Sequence, residues 1–442
     1  MKQLFIKMTI ILLAVFFIFG CAKETGLSYE FNTQADHPIR YPDVSFAVLS
    51  DIHVYTPELG SSGSAFDKVK YADRKLLLDS IDLLDFAIKE IITSGVSFVL
   101  ISGDLTKDGE LINHNILKEK LNLLRDNNIA VYVVPGNHDV NCPDAQKFID
   151  DKTEPVTNIS EEEFAQIYGD FGYNNALFRD TDSLSYVAEP ADGLWLLAID
   201  ATRHRENVPT EYAIVSGKIN QNTADWIAVV LNEAVKQNKA VMAMMHHGFT
   251  EHWKGQAKLH PDYIIKDFAN FGKFLASWNV RFGFTGHYHA HDITRAIFDN
   301  GKYFYDIQTG SLVTAPCPIR YVQINNNIMD IRSDFIVDKL HPGTDFAENA
   351  HAFVKNTVML EAANTLRKYK VSEKDIAIIA DAVGDAFAAH YSGDEDPSLR
   401  PALDKSKLGL WGRFVLGQQQ YVLDGLWGDL YPADVNVSIV LD

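Results

Sequence analysis

From Val44 onward, short, uniformly apolar runs alternate with longer stretches in which apolar residues recur every three or four positions. The runs VSFAVLS (44–50), SFVLIS (97–102) and IAVYVVP (129–135) are too brief for helices and read as buried strands. Between them, Leu76, Leu77, Ile81, Leu84, Ile88 and Ile91 carry helical spacing through 71–93, and LINHNILKEKLNLLRDN predicts a second helix. Strand, helix, strand, helix, strand in this order predicts a largely parallel sheet with helices packed on it. The pattern loosens after Asn141 through the acidic NISEEEF and then resumes. LWLLAID (194–200), AVMAMM (240–245) and RFGFTG (281–286) predict strands, and Asn222–Gln237 and Pro261–Trp278 predict helices. KYFYDIQTG, PIRYVQINN and IMDIRSDFI follow without helices and read as consecutive antiparallel strands. Two mixed sheets face to face, flanked by helices, accommodate this α/β order. Near His341–Pro342 the texture changes: 351–392 is helical and a Gly/Asp/Pro-rich loop follows. A boundary is therefore expected near 340, separating a principal domain (42–340) from a smaller, mainly helical C-terminal region (341–442).

The chain start adds an address. Lys2 and Lys7 precede an apolar stretch from Met8 to Gly20, which is short for a bilayer span and suits the hydrophobic part of a signal peptide. The stretch ends in IFGC, similar to the lipobox of bacterial lipoproteins. Residues 1–20 are then a signal peptide, Cys21 the lipidated N-terminus and 21–41 a tether. The expected location is outside the cytoplasm, lipid-anchored to a bacterial membrane in the periplasm or at the cell surface. The remaining cysteines, Cys142 and Cys317, either pair or serve as small buried hydrophobes.

Composition narrows the partners. At 442 residues the chain exceeds the size at which single cores stop growing, and 47% hydrophobic residues suffice for packed cores. A net charge of −19 disfavours nucleic acid polymers. A small phosphorylated substrate stays open, because bound metal ions reverse the local field.

Five predicted strands end in a polar cluster: LSDIH, SGDLTKDG, PGNHD, MMHHG and FTGHYH. In open α/β sheets the carboxyl ends of strands line one crevice, so residues scattered over the chain are expected to converge there. Each cluster alone is weak; a "GD" is usually a turn, and it recurs at Gly428–Asp429 without chemistry. Five in chain order, each at a strand end, carry the weight. Carboxylates and an amide oxygen suit hard cations, while imidazoles favour Zn, Fe, Mn or Co. A set of seven drawn from these clusters, Asp, His, Asp, Asn, His, His and His, exceeds one tetrahedral ion and suits two ions that clamp a phosphate. No serine or cysteine sits in a nucleophile elbow and no P-loop is present, so the nucleophile reads as metal-bound hydroxide.

With DIH, GD, GNHD, HH and GHYH in order over roughly residues 44–335, the sequence resembles the calcineurin-like metallophosphoesterases. The resemblance implies a four-layer αββα sandwich and a centre of two ions, Fe, Mn or Zn. Carried over motif by motif, Asp51 and His53 bind the first ion with His289, and Asp104 bridges the pair. Asn137, His246 and His287 complete the second. Of the adjacent His246 and His247, such relatives use the first. His138 of GNHD faces the phosphate and protonates the leaving oxygen, with a carboxylate such as Asp139 orienting its ring. GDLTKDGE is similar to the cyclic-nucleotide phosphodiesterase branch. Where some relatives carry a second aspartate in GDxxDRG, Lys107 stands here and Asp108 follows. On the substrate side, Asn113 and His114 either line the crevice or lie on a solvated helix face, and Arg203 or His204 of IDATRHRE reaches the phosphate. The expected activity is hydrolysis of a phosphodiester or phosphomonoester. The competing expectation is a non-catalytic exported surface protein that keeps the cluster as a structural staple. The donor set opposes it, since structural sites are typically closed, cysteine-rich and mononuclear.

Overall fold

The computed structural model describes residues 27–32 and 39–441. The expected signal peptide and the lipidation site Cys21 lie outside the described residues. Among the described residues, no helix is long and apolar enough to cross a membrane.

Strands β1 (Val44–Leu49), β2 (Phe98–Ile101) and β3 (Ala130–Val133) run parallel, joined through α1 (Ser64–Lys70), α2 (Ser80–Ser94) and α3 (Leu111–Asp126). α2 stops where Gly95 takes a left-handed φ of 78°, which a glycine adopts without steric cost. The helix expected from 71 begins only at Ser80, after a 3-10 turn over Leu77–Asp79. The Leu76 amide is instead drawn 2.7 Å from the Val313 carbonyl, so residues 72–76 cross the molecule as a loop.

A hairpin of β4 (Gln146–Ile149) and β5 (Lys152–Pro155) follows. The acidic NISEEEF becomes α4 (Glu161–Ile167), started by a reciprocal Ser160–Glu163 capping box. The second sheet is built from β6 (Phe178–Arg179), β7 (Tyr186–Ala191), β8 (Leu194–Ile199), β9 (Ala240–Met245), β10 (Phe282–Thr285), β11 (Asp292–Ile297) and β12 (Tyr303–Gln308). Its strand order is β11-β12-β10-β9-β8-β7-β6. α5 (Gln221–Lys236), α6 (Gln256–Leu259) and α7 (Phe268–Ser277) lie between these strands in sequence. The helix expected over Pro261–Trp278 is thus confined to α7, because Pro261–Tyr263 forms a separate 3-10 turn.

After β12 the chain changes sheets. β13 (Pro318–Asn325) pairs antiparallel with β1, and β14 (Ile328–Phe335) with β13. The three strands expected as one antiparallel run are therefore split, since β12 pairs with β10 and β11 in the other sheet.

The inner faces of the two sheets meet at aromatic contacts. Phe46 lies edge-on to Phe284 at 5.4 Å between ring centroids, and the buried Tyr41 donates to the Val241 carbonyl at 3.2 Å. Apolar residues of α2 and α3 cover the outer face of the first sheet, and those of α5 and α7 that of the second. This is a four-layer α/β sandwich.

Past α8 (Val337–Leu340), the expected mainly helical region holds α9 (Phe346–Lys368), α10 (Glu373–Ser392) and α11 (Leu410–Leu426). It ends in β15 (Asn436–Val440), which pairs antiparallel with β14 and becomes the edge of the first sheet. The region shares one continuous apolar core with that sheet. Part of the expected tether is likewise folded. Tyr29 stacks on Phe274 at 5.2 Å, and the Trp278 indole donates to the Glu30 carbonyl, so residues 27–32 pack against α7. Cys142 and Cys317 are buried and unpaired.

Candidate metal centre

The five polar clusters meet at the carboxyl ends of β1, β2, β3, β9 and β10. Five of these residues hold a left-handed backbone: Asp51 (φ 50°), His53 (43°), Asp104 (49°), His287 (72°) and His289 (64°). Each such conformation in a non-glycine residue costs about 1–3 kcal/mol and persists only where surroundings enforce it. Loop-to-loop hydrogen bonds do so: Asp51 N–H to Gly103 O at 3.1 Å, His53 N–H to Asp104 O at 3.0 Å, and Gly286 N–H to His246 O at 3.0 Å. Two glycines make the approach possible. A Cβ on Gly286 would stand 2.3 Å from Asp51 Oδ2, and one on Gly136 2.1 Å from Asp104 Oδ1.

Two groups of donors result, sharing Asp104. Asp51, His53, Asp104 and His289 form one; Asp104, His246 and His287 form the other; within each, one ligand atom per residue lies within 4.8 Å of the rest. His53 Nε2 is 3.3 Å from His289 Nε2 and 3.5 Å from Asp104 Oδ2. His289 Nε2 stands 3.3 Å from Asp51 Oδ1, and His246 Nε2 3.3 Å from Asp104 Oδ2. Asn137 joins the second group, its Oδ1 3.2 Å from His246 Nε2.

The outer nitrogens of three imidazoles are already engaged. His53 Nδ1 meets Thr106 O at 3.2 Å, His246 Nδ1 meets Ser102 O at 2.7 Å, and His289 Nδ1 meets Thr314 Oγ1 at 3.2 Å. Such bonds fix ring orientation and leave Nε2 as the ligand atom. Buried imidazole nitrogens and carboxylate oxygens converging without enough protons between them fit divalent cations. Burial pushes His53 and His287 well below the usual histidine range, which favours the neutral, ligating form. His246 is pulled the other way, to about 9: burial lowers it, but the Asp104 carboxylate beside it outweighs burial.

The profile of calcineurin-like phosphoesterases matches residues 44–291. The chain belongs to that family. Among solved structures it is similar to a dimetal phosphatase from Danio rerio, at 17% identity, covering 66% of this chain and 96% of that one with a TM-score of 0.47. It is also similar to the purple acid phosphatase PPD1 from yellow lupin, Lupinus luteus, at 10% identity, covering 68% of this chain and 52% of that one with a TM-score of 0.42. A comparison with curated proteins finds no match.

In this calcineurin-like phosphoesterase, His138 stands beside the two donor groups. Its Nε2 is 4.0 Å from Asp104 Oδ2, and its Nδ1 is 2.7 Å from Asp108 Oδ1. The carboxylate that orients the ring is therefore that of Asp108, and the expectation for Asp139 is corrected. Asp139 accepts backbone N–H bonds from Gly136 (2.8 Å), Leu105 (3.0 Å) and Thr106 (3.0 Å), tying the GNHD turn to the GD loop. Burial and Lys75 lower the His138 pKa, but Asp104 and Asp108 outweigh them and the net shift is upward.

The three expected substrate contacts sit elsewhere. His114 is buried inside the protein, with Nδ1 2.8 Å from the Tyr168 hydroxyl and Nε2 3.0 Å from the Asp139 carbonyl. Its neighbour Asn113 is buried too, accepting from the Thr56 amide, so neither residue lies on a solvated face. His204 bonds Glu161 and Thr202 at 2.6 Å each, and Arg203 engages Glu206 and Ser216. None of the three lines the cavity of about 100 Å³ above the metal centre. His247 turns away from the donor groups, its Nε2 bonded to the Val215 carbonyl at 2.8 Å.

That cavity exposes residues which sequence reasoning missed: Asp73, Arg74 and Lys75 of the loop before α2, with Tyr263 and Tyr288. Lys75 is buried, 2.8 Å from Asp73. The Tyr263 ring packs 4.7 Å from that of His287. The GHYH motif gave a signal for Tyr288; the Asp-Arg-Lys triplet was hidden inside an apparent helix.

Proposed function

We propose that this phosphoesterase hydrolyses a small phosphodiester or phosphomonoester outside the cytoplasm, held to a bacterial membrane through Cys21. The hydrolytic part of this reading rests on one observation: an imidazole outside both donor groups, His138, stands at the cavity with a carboxylate behind it. A structural staple has no use for that arrangement.

Asp51, His53, Asp104 and His289 would hold one cation, and Asp104, Asn137, His246 and His287 the other. Bound there, the pair would supply charge neutralisation on phosphate oxygens and would lower the pKa of a water toward neutrality. The chain's own residues do the rest. Asp108 accepts the Nδ1 proton of His138, which keeps Nε2 facing the cavity to donate a proton to the departing oxygen. Lys75 adds a fixed positive charge beside the phosphate position, and Tyr263 and Tyr288 wall the site against bulk water.

The test is turnover of 4-nitrophenyl phosphate and bis(4-nitrophenyl) phosphate with Mn, Zn and Fe, alongside metal analysis. Asp104→Ala is expected to lose both ions and all turnover. His138→Ala is expected to keep both ions and lose turnover. Two ions bound without hydrolysis of any ester would leave a metal-stabilised binding protein instead.

A further inference from the structure

The cavity over the metal centre has a larger neighbour. A hollow of about 320 Å³ opens between α9, α10, α11 and the segment around His260. The two cavities share three residues as a common wall: Arg74, Tyr263 and Tyr288. Beyond that wall the lining becomes mainly apolar, with Val358 and Ala362 from α9, Ile379, Val383 and Phe387 from α10, and Leu416 from α11. Residues of all three helices line this open hollow rather than closing over it. Its volume falls in the ligand-pocket range of about 300–1,000 Å³.

The polar groups gather at the wall. Arg74 pairs with Glu361 of α9 at 2.9 Å, yet its buried Nε has no hydrogen-bond partner, and neither does Nε2 of His260. Away from the wall, the polar groups of the lining are Thr365, Gln419 and the hydroxyls of Tyr369 and Tyr391, set among a larger number of apolar side chains. At roughly 30 Å³ per water-sized group, the space holds about ten methylenes, one chain rather than two.

We propose that this hollow receives the single alkyl or acyl chain of an amphiphilic phosphate ester whose phosphate lies at the metal centre, with Arg74 at the junction. The proposal rests on the phosphoesterase reading for the position of the phosphate. It makes the C-terminal helices a specificity element, and the substrate a single-chain phosphate amphiphile.

Calorimetric titration of the manganese-loaded full chain with ethyl, butyl and octyl phosphate tests it. The dissociation constant is expected to fall about fourfold per added methylene, with a heat-capacity change that grows more negative along the series. Ala362→Phe and Val383→Phe, each verified as folded by circular dichroism, are expected to flatten the series. The wild-type slope decides alone if a variant fails to fold. Equal affinity for the three phosphates, no binding of any, or a slope that survives in both folded variants overturns the proposal. Turnover of 4-nitrophenyl phosphate on the same samples separates the two readings. Turnover with a flat series sinks the hollow alone, whereas a steep series without turnover sinks the phosphoesterase assignment alone.

Discussion

Asp108→Asn keeps the shape of the group behind His138 and removes its charge. Asp108 Oδ1 is 2.7 Å from His138 Nδ1, and Oδ2 pairs with the buried Lys107 ammonium. An asparagine satisfies one neighbour at a time: with its amide oxygen toward Lys107, its NH2 confronts the Nδ1–H of His138. A hydrogen bond to a charged group contributes about 1.5–3 kcal/mol. If that is lost in the transition state, at about 1.36 kcal/mol per tenfold, kcat/KM falls roughly 10- to 150-fold. Asp108 belongs to neither of the two donor groups, so two ions per chain should remain. Stability should fall by less than the about 3–5 kcal/mol of a fully broken buried pair, because Lys107 keeps an acceptor. Steady-state kinetics at saturating metal, metal analysis and thermal melts of the same preparation read the three quantities. Asp139→Asn is the contrast, because its three backbone bonds are structural, and its main effect should be on the melt. A variant Asp108→Asn with kcat/KM within threefold of the wild type and both ions bound refutes the assignment of His138 and its partner.

Three further outcomes are expected. In Gly136→Ala, the added methyl would stand 2.1 Å from Asp104 Oδ1 and push aside the carboxylate shared by both groups; metal analysis should show both ions lost, and retention of two contradicts the shared role. Lys75→Met should raise KM about tenfold or more, from the loss of a charged contact worth about 1.5–3 kcal/mol, with metal content unchanged; an unaltered KM removes Lys75 from the phosphate site. His252, 2.5 Å from Asp292 and 3.1 Å from Asp306, has its pKa raised to about 10, the two carboxylates outweighing burial. The folded state then holds this proton more tightly than the unfolded state, so its contribution is whole below about pH 6.5 and lost as pH climbs toward 10, on the order of 5 kcal/mol at about 1.36 per unit. Denaturant melts at pH 6, 8 and 10 should show the wild type losing stability faster than His252→Gln; parallel curves rule the linkage out.

What the sequence made legible is what depends on local pattern. The strands β1, β2, β3, β8, β9 and β10 lie within a residue or two of the expected runs, because all but the edge strand β3 are buried on both faces and almost wholly apolar. The polar clusters converge because the carboxyl ends of these strands share one edge. What stayed hidden depends on contacts distant in sequence. Leu76 and Leu77 continue the helical spacing of α2, and only the bond from Leu76 to Val313 shows that Arg74 and Lys75 sit on a loop at the cavity over the two donor groups. Asp139 adjoins His138 in sequence, but the loop after β2 carries Asp108 back beside the ring. His114 has the setting of a surface helix residue until Tyr168 closes over it. β12 and β13 look alike along the chain and part company only because one completes each sheet.

The return of the last strand to the first sheet bears on biogenesis. β14 has β13 on one side and only β15 on the other. A folding chain in which β14 has paired with β13 therefore keeps a row of free amides and carbonyls until β15, about a hundred residues further along, returns to cover it. Premature stops or proteolytic clipping upstream of Asn436 would leave that border unsealed and ready to recruit a strand from another molecule.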